Sequence, residues 1–257
     1  MHPILSRLAL AGIALIAAGA AHAQSEAAPP LPAVKWSFDG PFGTFDRAAL
    51  QRGFQVYSQV CSNCHSMNLL AYGDLAGPGA LGYTEEQVKA IAAEKQVDDV
   101  DDSGQPAQRP ARPSDRFVAP FPNEKAARAA NNGALPPDLS VIIKAREGGA
   151  DYVHAILTGF RDPPADFPMA DGMNYNLYFP GHQIAMPPPL QDDSVAYADG
   201  TKATLDQEAQ DVATFLTWAS EPTMEERKRT GVKVILFLLA LTGVLYGAKR
   251  RIWASLH

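Results

Sequence analysis

Only two cysteines occur in the 257 residues, Cys61 and Cys64. No second pair is available to staple the chain, so its loops must be held by packing. Positive charge is also short: 22 Lys and Arg stand against 28 Asp and Glu, a formal net charge of −6. Residues 1–23 carry one net positive charge and residues 225–257 carry five, which leaves −12 on residues 24–224. A surface this acidic excludes nucleic acid as a partner and steers basic proteins toward it, besides serving solubility. No internal repeat occurs, and no stretch sustains the alternation of a β-strand. What is plentiful is proline (Pro 21) and glycine (Gly 20), which points to long irregular loops. A hydrophobic content of 46% is ordinary for a globular body and excludes both wholesale disorder and a multispanning membrane protein.

The two ends read differently from the middle. Arg7, the apolar run Leu8 to Ala20 and Ala21-His22-Ala23 have the form of a secretory signal with its cleavage site, so the exported chain is expected to begin near Gln24. An uncleaved anchor is the competing reading, against which the shortness of the run counts. Val234 to Ala248 contains no charge and extends to Val232 if Lys233 snorkels its ammonium to the headgroups. Lys249, Arg250 and Arg251 close it and Trp253 suits a membrane interface. The expected division is therefore a signal at 1–23, a periplasmic body at 24–224, a juxtamembrane linker at 225–231, a transmembrane helix at 232–248 and a cytoplasmic tail at 249–257. That arrangement implies a single-pass inner-membrane protein in contact with lipid.

Within the body, helical spacing is expected over Asp46 to Cys61, with Leu50, Phe54 and Tyr57 on one face. Thr84 and Gln87 form a capping box that opens a helix to Ala93. Residues 98–116 read as a long acidic loop. Glu124 to Asn131 is expected to be helical, stopped by Asn131-Asn132-Gly133. Two short helices, Ser140 to Arg146 and Asp151 to Thr158, flank Gly148-Gly149. The proline-broken stretch 159–203 reads as loop. Leu205 to Ser220 is a strong helix ended by Glu221-Pro222. Gly53 and Tyr57 mark the first helix as one that a neighbour can approach closely, and Phe215 and Trp218 make Leu205 to Ser220 the expected partner.

The chemistry lies at Cys61-Ser62-Asn63-Cys64-His65. Two thiols one helical turn apart can add to the two vinyl groups on one porphyrin edge, and the next residue offers its imidazole to the iron. A structural disulfide would close too small a loop to gain much and would leave His65 unexplained. A thioredoxin-like pair needs a βαβ setting that is missing here, and a zinc site needs further ligands. Covalent haem c is therefore the expected cofactor. For the sixth ligand, Met67, Met169, Met173, Met186 and Met224 are candidates of one class and His154 and His182 of the other. Met67 is too near His65 to reach the opposite face, and Met224 abuts the expected anchor. Met186 stands before Pro187-Pro188-Pro189, a stiff strap that can hold a weak ligand in place, although a thioether packed in the core is the alternative.

Residues 126–140, Tyr178-Phe179-Pro180-Gly181, Ile184 to Leu190 and Trp218-Ala219-Ser220-Glu221-Pro222 together resemble the cytochrome c1 family, the haem subunit of ubiquinol–cytochrome c reductase. The likeness runs from about Trp36 to Trp253. It implies a mainly α, class I cytochrome c-like helical fold with long loop insertions plus one C-terminal transmembrane helix. It implies iron held by His65 and Met186, with Asn131 and Pro137 lining the haem, Pro137 offering its carbonyl to His65, and Arg146 and Tyr152 on a propionate. It also implies the partners: cytochrome b, a Rieske iron–sulfur protein that delivers single electrons, a cytochrome c that accepts them, and a dimeric complex. The chain would then act as an electron-transfer component of an enzyme and not as a catalyst by itself. Two departures stand out. Gly73 replaces an arginine common in the family, and an extra cysteine pair of some bacterial members is missing. A free-standing tethered carrier and a haem enzyme with an open sixth position are the rival functions.

Overall fold

The computed structural model describes residues 28–254, so the expected signal at 1–23 and the last residues of the tail lie outside them. Asp46 lies in extended backbone and its carboxylate accepts the Ala48 and Ala49 N–H groups at 2.9 and 3.3 Å, which starts helix α1 at Arg47–Gln59. A single 3₁₀ turn, Cys61–Asn63, follows directly. Thr84 and Gln87 make their capping box, and α2 spans Glu85–Ala93. Asn123 caps α3, Glu124–Ala130. Helix α4 is Gly149–Thr158 and α5 is Leu205–Ser220. The body is mainly α with long connections, as its composition implied.

Three expectations need correction. Residues 98–116 are not all loop: β1 (Gln96–Val100) pairs antiparallel with β2 (Pro106–Pro110). Asp101 makes the turn, its Oδ1 accepting the Ser103 and Gln105 N–H groups at 2.8 and 2.9 Å, while Gly104 takes a φ of 76°. None of the strand residues is buried and only Val97 packs against the core, so the sequence has no buried face to betray the strands. Second, Ser140 to Arg146 forms irregular turns in place of a helix. Only one α-type bond forms there, Ala145 N–H to Val141 O at 3.0 Å, before Gly148 and Gly149 turn at positive φ. So short a run does not recover the cost of helix nucleation. Third, residues 225–231 are no separate linker but the first two turns of α6, Met224–Trp253. The chain breaks earlier, where Glu221 ends α5 and Pro222 follows.

The body is organised by the crossing of α1 and α5. A Cβ at Gly53 would sit 2.0 Å from the Asp211 carbonyl oxygen and 2.7 Å from Phe215 Cβ, so only glycine permits this approach. Around it, Phe215 meets Phe54 and Tyr57, both at 5.6 Å between ring centres, and Trp218 at 5.9 Å. Asp211, almost fully buried, is held by Arg52 through two parallel bonds of 2.8 and 2.9 Å and by Gln207 at 3.1 Å. Helix α4 packs on α5 from the other side, and the His154 ring bonds Asp206 at 2.9 Å. The proline-rich lead-in is pinned onto α4, since Asp151 accepts Val34 N–H at 3.2 Å and Trp36 Nε1–H at 2.7 Å.

Helix α6 is 30 residues long. At the usual rise that is about 45 Å, longer than a ~30 Å hydrocarbon layer. Its most apolar window has a mean hydropathy of 2.0 and none of it is buried, which fits a membrane anchor. The root of α6 is docked. Glu225 accepts Phe45 N–H at 2.8 Å and Arg47 Nη2–H at 2.7 Å, and the Lys228 ammonium donates to the carbonyls of Phe38 and Gly43.

Gly53→Ala is expected to force α1 and α5 apart and to cost about 1–3 kcal/mol or more by overpacking. Thermal denaturation of the detergent-solubilised protein checks this, and a melting temperature equal to the parent's would refute the close-crossing argument.

Candidate haem site

The 3₁₀ turn at the end of α1 sets the two thiols one turn apart. Cys64 N–H and His65 N–H both donate to the Cys61 carbonyl, at 3.1 and 2.9 Å. Ser62 Oγ–H and Asn63 Nδ2–H bond back to the carbonyls of Ser58 and Gln59 at 2.8 and 3.0 Å, so the turn is tied to α1. Neither cysteine is in a disulfide. Burial pushes the Cys61 thiol up to about 12, opposite to the lowered value that a redox-active C-x-x-C nucleophile needs.

His65 is oriented from across the chain. Its Nδ1 lies 2.8 Å from the Pro137 carbonyl oxygen. A carbonyl only accepts, so Nδ1 carries the proton and Nε2 presents a lone pair. Burial lowers the imidazole's proton affinity, with the Pro137 carbonyl and Asp138 opposing it, and the neutral form is the one that ligates a metal.

Pro137 is itself held by a lattice of short bonds. Asp138 accepts Ser66 Oγ–H and Asn68 N–H on Oδ2, both at 2.8 Å, and Ser140 N–H on Oδ1 at 2.9 Å. Leu139 N–H reaches the Ser66 carbonyl at 2.9 Å, and Leu69 N–H reaches Ser140 Oγ at 3.0 Å. Burial alone would raise the Asp138 carboxyl, but the donors from Ser140, Asn68 and Ser66 outweigh it and hold it below the usual range. Sequence reasoning missed this lattice. Its one local signal is the Pro137-Asp138 pair followed by Ser140.

The remaining expected residues are placed as follows. Asn131 closes α3, its Nδ2–H donating to the Ala127 carbonyl at 2.7 Å, where the chain turns toward Pro137. The Arg146 guanidinium lies against the Tyr152 hydroxyl, and burial raises that phenol's proton affinity while Arg146 pulls it back. Met186 is half-buried and packs on the same hydrophobic cluster as Cys61. It follows a short antiparallel ladder, β3 (Asn174–Tyr175) with β4 (Gln183–Ile184), and Asn174 Nδ2–H bonds the Met186 carbonyl at 3.3 Å. The structure thus joins His65 to Pro137 and Arg146 to Tyr152. It leaves Asn131 and Met186 in separate segments, with no hydrogen bond to either pair among the described residues.

Four of the six other ligand candidates are committed elsewhere, while Met169 and Met173 are half-buried in the 159–203 stretch. Met67 is fully buried in the core and Met224 is buried at the root of α6. The His154 ring is buried against Asp206, and His182 is buried, stacked on Tyr175 at 5.5 Å and bonded to the Asn176 carbonyl at 3.2 Å. Two free thiols one turn apart, a neutral imidazole with Nε2 available, a strapped thioether and an arginine–tyrosine pair form a donor set that fits a covalently held haem.

Residues 36–256 match the model of the cytochrome C1 family. The chain is 46% identical to cytochrome b/c1 of Bradyrhizobium diazoefficiens over 97% of its own length, and it spans 40% of that longer protein. It is 50% identical to mitochondrial cytochrome c1, heme protein, of Saccharomyces cerevisiae, over 88% of this chain and 72% of the relative. Against the mitochondrial cytochrome b-c1 complex catalytic subunit of Candida albicans, identity is 48% over 88% of this chain and 78% of the relative. A family match that takes in the thiol turn, the Pro137 segment, the Met186 strap and the apolar helix alike has one meaning: the chain belongs to the cytochrome c1 family.

Proposed function

We propose that the chain is the haem-bearing relay of a cytochrome b–c1 complex, receiving single electrons from a Rieske iron–sulfur protein and passing them to a cytochrome c. The observation that carries this reading is the His65–Pro137 bond of 2.8 Å, which fixes one tautomer and one ring orientation beside the thiol turn. Names of relatives supply the setting: the yeast protein is a heme protein, and the Candida protein a subunit of the cytochrome b-c1 complex.

Haem c, bound through Cys61 and Cys64, would supply the one-electron couple. His65 Nε2 and the Met186 sulfur would hold its iron. Thioether sulfur favours reduced iron over oxidised, which raises the potential to suit a relay. Pro187, Pro188 and Pro189 remove backbone freedom next to that sulfur, so the strap would keep one geometry in both redox states. Arg146 and Tyr152 would receive a propionate, the guanidinium by charge and the phenol by hydrogen bond. Asn131 and Pro137 line the same site, Asn131 by fixing the turn that precedes Pro137.

The anchor sets the location. With the body exported, Lys249, Arg250 and Arg251 close α6 on the cytoplasmic side and the haem faces the periplasm. The exposed side chains of α6 then meet lipid and cytochrome b, within a dimeric complex. The net negative body draws in a basic cytochrome c.

Three outcomes test this reading. Solubilised in mild detergent, the tagged chain should bring down a b-type cytochrome; recovery of the haem protein alone would favour a free-standing carrier. Met186→Leu should abolish the methionine-to-iron band of the oxidised spectrum and lower the reduction potential by on the order of 0.1 V or more. An unchanged potential would dismiss Met186 as ligand. The Asp138 carboxyl is held low, so its contribution is present above the ordinary carboxylate range and is lost as pH falls through the depressed value. Asp138→Asn should therefore loosen the His65 site already at neutral pH, by about 1–3 kcal/mol, and flatten its acid transition. Acid titration of the haem spectrum reads both, and identical curves for the two proteins would refute the role given to the lattice.

A further inference from the structure

Two buried carboxylates of α5 are treated very differently. Asp211 has a cation, Arg52, in a two-bond fork. Glu208, one turn earlier and with no exposed surface, has none among the described residues. Its Oε1 accepts Val195 N–H at 3.0 Å, and its Oε2 has no hydrogen-bond partner among the described residues. Ser194 lies alongside, but its hydroxyl donates to the Gln191 carbonyl at 2.8 Å. Tyr197, also buried, lies nearby with its ring beneath the Arg52 guanidinium at 5.7 Å.

The charged and titratable groups around Glu208 are mostly acidic. Asp193 and Tyr197 come from the loop and Asp211 stands one turn further along α5, while Arg52 of α1 faces Asp211 and Tyr197. Arg52 is already shared between Asp211 and Asp199, at 2.8 and 2.9 Å. An ionised Glu208 would be a further buried negative charge without a counter-ion, whereas the neutral acid keeps one oxygen for Val195 and costs far less to bury.

Val195 is the point of interest because of what precedes it. From Met186 the chain runs through three prolines to Leu190, which is buried, and on to Val195, whose side chain is buried too. Further ties hold this loop: Leu205 N–H to Asp192 at 2.8 Å, Asp193 N–H to the Ala203 carbonyl at 2.6 Å, and Gln55 to the Ala196 carbonyl at 2.8 Å. Upstream, Asn174 holds the Met186 carbonyl. The strap is thus pinned at both ends, and of these downstream ties only the Glu208 bond is made by a fully buried, ionisable side chain.

We propose that Glu208 is a positioning residue for the sixth ligand: its carboxyl latches Val195, holds down the loop behind the proline strap, and so keeps the Met186 sulfur at the iron. This rests on Met186 being the axial ligand. Burial raises the Glu208 carboxyl above the usual range, assisted by Asp193 and opposed by the Val195 N–H. A group whose folded value is raised contributes its stability fully at low pH and loses it as pH rises through that value. The latch therefore opens on the alkaline side.

The test uses the full-length, haem-loaded protein in detergent, with two readouts. One is the pH at which the oxidised protein loses its methionine-to-iron band; the other is amide hydrogen exchange over residues 190–197. Glu208→Ala should speed exchange there roughly fivefold or more and shift loss of the band to lower pH. Glu208→Gln keeps an acceptor for Val195 N–H but cannot ionise, so it should preserve slow exchange and hold the band about one pH unit higher than the parent. Exchange unchanged in the alanine variant, or a glutamine variant that loses the band at the parent's pH, would overturn the proposal. If the alanine variant does not fold, the glutamine comparison decides alone. A parent protein without the band at any pH would overturn Met186 as ligand, and the latch with it.

Discussion

The body turns on a contact between two backbones. Where α1 meets α5, the Asp211 carbonyl occupies the space that a Cβ on residue 53 would need. Two parts of the haem site are referred to this crossing. The thiol turn is the continuation of α1, and the loop behind Met186 is fastened to the first turns of α5. Burying Asp211 at the same crossing would be expensive alone, but the Arg52 fork makes the pair self-sufficient and prescribes how the helices are rotated against each other. The aromatic cluster of Phe54, Tyr57, Phe215 and Trp218 then adds apolar area around a geometry that glycine and the ion pair have set.

The long loops, which have no disulfide, are held by carboxylates and amides accepting backbone N–H groups. Asp138 does this beside the thiol turn, Asp151 for the proline-rich lead-in and Asp101 at the tip of the exposed hairpin. Buried Asn176 does it between α4 and the approach to Met186, its Nδ2–H meeting the Ile156 carbonyl at 2.8 Å and its Oδ1 the Tyr178 N–H at 3.0 Å. Such bonds satisfy polar backbone that a loop would otherwise bury at a cost. They also give direction, which apolar packing does not. A haem ligand needs an aim as well as an enclosure, and the Pro137 carbonyl is aimed by this means.

Much of the helical framework was legible because its signals are local. The Thr84–Gln87 box, the Asn131-Asn132-Gly133 stop and the apolar spacing of Leu205 to Ser220 each act within a few residues and survived folding unchanged. Gly53 beside Tyr57 announced a close helix contact, and the partner was found by its own aromatic residues. Errors fell where structure answers to something distant. The 96–110 hairpin has no buried face, so no alternation marks it. The Ser140 to Arg146 stretch has helical composition, but Ser140 is drawn across to Asp138 and Leu69, and the following glycines leave no length for propagation. Residues 225–231 read as a linker from their charge, although Glu225 and Lys228 find partners that let the helix run on.

The sequence by itself determined the family and the chemistry of its motif: two thiols one turn apart, a histidine after them and a methionine ahead of three prolines. These are covalent and short-range facts, independent of how the chain returns on itself. Only the tertiary structure decided which nitrogen of His65 is free, because that depends on a carbonyl 72 residues away. It also decided that Asp138 is a clasp and that Glu208 is buried without a counter-ion among the described residues. Hydrogen bonds and desolvation act at a few ångströms in space and are blind to separation along the chain. A sequence can name the groups that meet, but only folding brings them within that range.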